Sequence, residues 1–368
     1  MNAGARTIRG ATPLALLALA VPTLSLSGCA GDGEGRSATL TGAGATFAMP
    51  LISLWSSEYE AMTGGRVNYN SIGSGGGIRA HIDGTVHFAA SEAPLSVEQF
   101  ERAEGTLTIP FTIGTVTLAY NLPEIDELRL TGDVIADIFL GGITHWNDAR
   151  IEELNPDITL PAERIVVAHR SDGSGTTYVF TDYLAKVSPE WAEQVGSSTS
   201  VAWPLGIGGN GNEGVAGAIR NNPYSLGYIE LSYANNLGMP TALVRNRAGN
   251  YIAPSLEGGT AAAAAAVETL PAGHEPWHDV SFTDAPGETS YPLSSFSYFM
   301  VYEDLDRLGS QITPERAESV VRWLEWTVTE GQAFNGDVSN AALPERVREL
   351  NLATIERIRF NGEPVRPR

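Results

Sequence analysis

Apolar residues along this chain follow two alternating rhythms. Short apolar runs at 38–41, 67–71, 88–90, 116–121, 165–169 and 227–229 read as buried strands. Between them, stretches with a period near 3.6 predict helices at 50–61, 96–103, 132–140, 177–185, 213–221 and 314–329. In the first of these, Leu51, Leu54, Trp55, Tyr59 and Met62 recur on one face. The alanine run 261–266 falls inside a further helix, because alanine is the best helix former. Strands alternating with helices predict an α/β fold, with mostly parallel sheets flanked by helices.

Two extended segments, 112–121 and 290–301, have the composition of strands that cross between domains. If both are hinge strands, one lobe is built from both ends of the chain (38–115 plus 296–368) and the other from its middle (116–295).

The polar residues that interrupt this pattern concentrate where strands give way to helices. Arg170-Ser171-Asp172-Gly173-Ser174-Gly175-Thr176 follows the strand at 165–169 and opens a helix. A helix start offers unpaired N–H groups and the positive end of the macrodipole, hydroxyls add donors, and an arginine can grip two oxygens at once. That is the chemistry a tetrahedral oxyanion requires, with Asp172 placed to orient the guanidinium. Two further strand ends resemble it: Gly42-Ala43-Gly44-Ala45-Thr46-Phe47 before the first helix, and Ile72-Gly73-Ser74-Gly75-Gly76-Gly77 before a short helix around 78–82. Ser74 is positioned to cap that helix at Gly76. A fourth segment, Ala90-Ser91-Glu92-Ala93-Pro94, adds a carboxylate. With 112–121 and 290–301 as hinges, Thr46, Ser74 and Glu92 fall on one lobe and Arg170 to Thr176 on the other, so a ligand between them would draw the lobes together.

The formal charge of −20 over 368 residues disfavours nucleic acid, which needs a basic surface. An acidic protein that binds an anion must therefore make a local positive site from dipoles and few cations. The N-terminus reads as a targeting segment: Arg6 and Arg9, an apolar core at 14–26 too short to span a membrane, then Leu26-Ser27-Gly28-Cys29. Cys29 is the single cysteine and cannot form an internal disulfide. Residues 1–28 are expected to be a lipoprotein signal peptide, Cys29 the point of lipid attachment, and 29–37 a flexible leash.

These motifs, together with Trp203-Pro204-Leu205-Gly206, the glycine-rich stretch 209–214 and Ser225-Leu226-Gly227-Tyr228, resemble the substrate-binding lipoproteins of bacterial phosphate ABC importers. The resemblance runs from about Leu40 to near the C-terminus and is weakest over 241–290. It implies a two-lobed periplasmic-binding-protein fold with two hinge strands, phosphate in the cleft, and delivery to a transmembrane permease. Carried over residue by residue, it implies that Thr46 and Phe47 donate backbone amides, with the Phe47 side chain in the core. Ser74 would donate from hydroxyl and amide, Arg170 would make the ion pair, oriented by Asp172, and Ser174, Gly175 and Thr176 would supply the second helix terminus. The family usually has aspartate where this chain has Glu92. A carboxylate there accepts the proton of hydrogenphosphate, and it would face sulfate acceptor to acceptor.

The resemblance further implies a monomer in the cell envelope, held to a membrane by its lipid and facing the periplasm or the cell exterior, with no cofactor and no metal. A sensor or scavenger of another oxyanion such as arsenate, or a weak phosphatase, are the alternatives. Enzymatic signals are poor. His169, Asp172 and Ser174 are too close in sequence to align as a triad, Gly173-Ser174-Gly175 is not a nucleophile elbow, and Pro276 spoils a helical pairing of His274 with His278.

Overall fold

The computed structural model describes residues 38–366, so the expected signal peptide at 1–28, Cys29 and the expected leash at 29–37 lie outside the described residues. Eight strands form the main sheet: β1 (Leu40–Gly44), β2 (Val67–Ser71), β3 (Phe88–Ser91), β4 (Thr106–Asn121), β5 (Val166–Arg170), β6 (Ile207–Gly209), β7 (Ser225–Glu230) and β8 (Ser294–Tyr302). Their spatial order is β2-β1-β3-β8-β4-β7-β5-β6. The outer pairs are parallel, as strand-helix alternation predicts. The central pairs β3–β8, β8–β4 and β4–β7 are antiparallel. There β4 and β8, the two longest strands, lie side by side in the middle of the sheet.

Strand β4 joins the two halves of the sheet. Its first part, Thr106 to Thr115, pairs with β8, and its last part, Val116 to Asn121, pairs with β7. All of it but Asn121 is buried. On the β8 side the core is aromatic, with Trp55, Phe111, Phe299 and Trp323 in stacked and edge contacts. On the β7 side Phe139, Phe180, Trp203 and Tyr228 pack together.

Four helices bear on the site: α1 (Met49–Thr63), α2 (Ser74–Ile82), α3 (Gly175–Val187) and α4 (Gly211–Asn221). Helix α1 begins with Pro50 in its first turn and ends on Gly64 in the left-handed region, φ 71°, as proline and glycine preferences dictate. It buries Leu51, Ile52, Trp55 and Tyr59. Met62, expected on that face, is 59% exposed because it falls in the last turn, beyond the packed core. The alanine-rich helix spans Leu256–Ala264, so the end of the 261–266 run lies past it. Among the described residues, no helix is long and apolar enough to cross a membrane.

Candidate oxyanion site

Helix starts from both halves of the sheet converge on one buried region. β1 ends on Gly44, φ 141°, and the chain turns through Thr46 and Phe47 into α1. Tyr69 donates its hydroxyl to the Ala45 carbonyl at 2.9 Å, and Tyr233 donates to the Thr46 carbonyl at 2.7 Å. The amides of Thr46 and Phe47 have no hydrogen-bond acceptor among the described residues. The Phe47 ring is buried in the core, as expected.

Helix α2 starts at Ser74, four residues before the apolar pattern at 78–82 begins. The triple glycine is a poor helix former, but it permits close approach: a Cβ on Gly75 would lie 3.1 Å from the Gly173 Cα, and the Gly75 amide donates to the Gly173 carbonyl at 3.0 Å. Packing therefore overrides propensity. Since the helix begins at Ser74, its hydroxyl is not the cap at Gly76 and instead donates to Glu92 Oε2 at 3.1 Å.

Helix α3 has Ser174 as its N-cap, the Ser174 Oγ accepting from the Thr177 amide at 3.1 Å. That bond leaves the Ser174 hydroxyl proton free to be donated. The amides of Gly175 and Thr176, like that of Ser74, have no acceptor among the described residues. Gly175 packs so closely that a Cβ there would lie 2.2 Å from Glu92 Oε2 and 2.6 Å from Ser74 Oγ.

Arg170 ends β5 with its side chain 1% exposed. Its Nε donates to Asp172 Oδ1 at 2.7 Å and its Nη2 to Oδ2 at 2.5 Å, while Nη1 reaches Thr176 Oγ1 at 3.2 Å. The guanidinium is thus oriented bidentately by Asp172, whose Oδ1 also accepts from the Gly211 amide at 3.1 Å. Burial pushes the Asp172 carboxyl up, but the Arg170 hydrogen bonds and charge and the Gly211 amide outweigh it and hold it below the usual range. The Arg170 amide donates to Tyr228 Oη at 3.0 Å, tying the site to the aromatic core.

Glu92, 1% exposed, is the acid among these donors. Burial pushes it up to about 7, against the opposing hydrogen bonds of Ser297 and Ser74 and the charge of Arg170. Ser297 on β8 donates to its Oε1 at 3.1 Å. A second buried acid, Glu230 at the end of β7, is pushed up to about 8, first by burial and further by the charge of Glu92. Its Oε2 accepts from the amide and hydroxyl of Ser232.

The structure brings together Thr46, Phe47, Ser74, Glu92, Arg170, Asp172, Ser174, Gly175 and Thr176. It adds Asn212, Ser297 and Glu230, to which the sequence assigned no role. Asn212 lies in the glycine-rich stretch 209–214, and that composition was its only signal. No triad forms: His169 Nδ1 faces the Arg170 carbonyl at 3.0 Å, its ring stacks on Trp203, and Asp172 is engaged by Arg170. Among the described residues, no group of three or more His, Cys, Asp or Glu is placed to hold a metal.

Residues 30–330 match the family described as PBP superfamily domain. The chain is 42% identical over 311 residues to the phosphate-binding protein PstS of Pasteurella multocida, covering 84% of this chain and 87% of that one. It is 35% identical over 368 aligned positions to the PstS of Methanocaldococcus jannaschii, covering 93% and 94%. The chain belongs to this family of phosphate-binding proteins. Its fold matches the phosphate-bound structure of the high-affinity periplasmic phosphate-binding protein PfluDING with a TM-score of 0.67 at 20% identity, over 86% of this chain and 93% of that one. The phosphate-binding protein of Stenotrophomonas maltophilia matches with a TM-score of 0.67 at 18% identity, over 86% and 93%. The architecture is the two-lobed periplasmic-binding-protein fold.

Proposed function

We propose that this protein binds inorganic phosphate between the helix starts of α1, α2 and α3 and delivers it to the transmembrane permease of an ABC importer, while tethered to the cell envelope by a lipid on Cys29. In this reading the lobes are 38–115 plus 296–368 and 116–295, and they close on the anion. Thr46, Phe47, Ser74, Ser174, Gly175 and Thr176 supply neutral donors, and Arg170 supplies the charge. The observation that carries the reading is Glu92: one buried carboxyl opposes an array of donors that includes Arg170. A ligand that presents acceptors on most sides and one proton fits that polarity, and hydrogenphosphate is such a ligand. The names of the family relatives support the same choice.

Isothermal titration of the purified chain with phosphate, arsenate and sulfate tests the binding, and labelled phosphate uptake in cells carrying the permease tests delivery. Arg170→Ala is expected to abolish measurable phosphate binding with the circular dichroism spectrum unchanged. Submicromolar affinity retained by that variant would reject this site, and a sample hydrolysing phosphate esters in a chelator-sensitive way would favour an enzyme.

A further inference from the structure

Asn212, the second residue of α4, is fully buried and touches both sides of the proposed cleft. Its Oδ1 accepts from the Glu230 amide at 2.9 Å. A backbone N–H can only donate, so this contact fixes which end of the carboxamide is oxygen and turns the Nδ2 donor toward the threonines. Nδ2 donates to Thr46 Oγ1 at 3.0 Å and to Thr176 Oγ1 at 3.1 Å. The Asn212 amide adds a second donor to Thr46 Oγ1 at 3.2 Å, and Arg170 Nη1 adds a second to Thr176 Oγ1 at 3.2 Å.

A hydroxyl oxygen has two lone pairs and one proton. At both threonines the two lone pairs are occupied by donors, leaving only the proton to be given away. Free hydroxyls are ambivalent and rotate to suit either a donor or an acceptor on the ligand. These two are not.

We propose that Asn212 is a positioning residue that compels Thr46 and Thr176 to act as donors only, making this wall of the cleft selective for a ligand that presents bare oxygens. The inference rests on the phosphate reading and deepens it. It assigns rejection of neutral hydroxyl-bearing ligands to an uncharged residue that needs no contact with the anion. It also divides the labour of recognition: Asn212 sets the polarity of one wall and Glu92 supplies the acceptor opposite.

The test is a double-mutant cycle on the full chain with inorganic phosphate as the probe, read by calorimetry and, for weak variants, by phosphorus NMR titration. Wild type is measured first, and failure to bind phosphate there would overturn the phosphate reading itself. Asn212→Ala is expected to weaken binding roughly tenfold, the scale of a lost buried hydrogen-bond constraint. In a Thr46→Val, Thr176→Val background the same substitution is expected to cost less than about threefold, because its route to the ligand has been removed. Asn212→Asp keeps Oδ1 for the Glu230 amide but exchanges the donor for an acceptor. It is expected to lose roughly a hundredfold in wild type, and clearly less in the valine background. A merely structural Asn212 would weaken binding by the same factor in both backgrounds, and equal factors for either variant would overturn the proposal. Should the alanine variant fail to fold, the aspartate variant decides alone.

Discussion

Sulfate is the sharpest probe of Glu92. It matches phosphate in size and charge but carries no proton near neutrality, so an ionised Glu92 would face it acceptor to acceptor in a buried site. Sulfate should therefore bind only the fraction of protein in which Glu92 is protonated and can donate. Burial raises Glu92 to about 7, and this sets the pH profile. Below about pH 7 most of the protein is competent and the apparent sulfate Kd is level, whereas above it the competent fraction falls tenfold per pH unit. Between about pH 6 and about pH 8.5 the apparent Kd should rise roughly thirtyfold, equivalent to about 2 kcal/mol.

Phosphate behaves differently above neutrality, because the anion brings its own proton to the carboxylate, and its Kd should stay level over the alkaline half of that range. Glu92→Gln supplies a permanent donor and should bind sulfate with no pH dependence, better than wild type at alkaline pH. Calorimetry at fixed ionic strength across the range measures all three. Parallel sulfate and phosphate profiles in wild type, or a sulfate slope that survives in the glutamine variant, would refute the assignment of proton recognition to Glu92.

Gly175→Ala would place a methyl 2.2 Å from Glu92 Oε2 and 2.8 Å from the Glu92 backbone nitrogen, so the two segments must move apart, and calorimetry should find phosphate affinity reduced at least about a hundredfold. The ligand-free protein should lose stability as pH rises from about 4.5 to about 7. The folded state keeps the Glu92 proton over that window while the unfolded chain gives it up, a difference of about 3 kcal/mol. Differential scanning fluorimetry should show this slope reduced in Glu92→Gln, and an unchanged slope would place the cause elsewhere. Cys29→Ala should move the protein from the membrane fraction to the soluble fraction on cell fractionation, and unchanged partitioning would reject lipidation at that position.

The elements that the sequence announced are those whose pattern is one-sided or sharply bounded. Gly132–Leu140 emerged with its expected limits because an apolar face ends at a left-handed glycine, Gly141. The first part of β4 was less visible. It is buried on both faces and shows no alternation, and it contains Pro110 and Gly114, residues that normally argue against a central strand. The structure accommodates Pro110 at an irregularity, where the register with β8 shifts between Ser297 and Tyr298. Gly114 is needed because a Cβ there would meet the Phe47 ring at 2.1 Å.

The site divides the same way. Thr46, Ser74 and the 170–176 loop were legible because glycine and hydroxyl residues at strand ends leave a local mark. Asn212 was not, since its role depends on Thr46, 166 residues away, and on Thr176. Ser297 was hidden for the same reason, since it takes its meaning from Glu92, 205 residues away. The carboxylate of Glu230 bonds locally to Ser232, and its tie to the site runs through Asn212 and the charge of Glu92.

The charge of the whole chain and the polarity of its site have opposite signs, and this separates rate from affinity. Arg170 is paired with Asp172, so the site carries little net cation and relies on oriented amides and hydroxyls. Fixed dipoles in a buried site act over a few ångströms and are little affected by mobile ions. The net charge of −20, by contrast, repels an approaching anion over distances that salt does screen. Raising sodium chloride from about 0.05 M to about 0.5 M should therefore speed phosphate association, the reverse of electrostatic steering. Stopped-flow mixing at the two salt concentrations separates the association rate from the dissociation rate. If the bound anion is sealed from solvent, its exit rate is set by lobe opening and is nearly independent of salt, and the equilibrium Kd tightens by the gain in association alone. A Kd that weakens as salt is added would mean that long-range attraction, and not the local donors around Arg170, holds the anion.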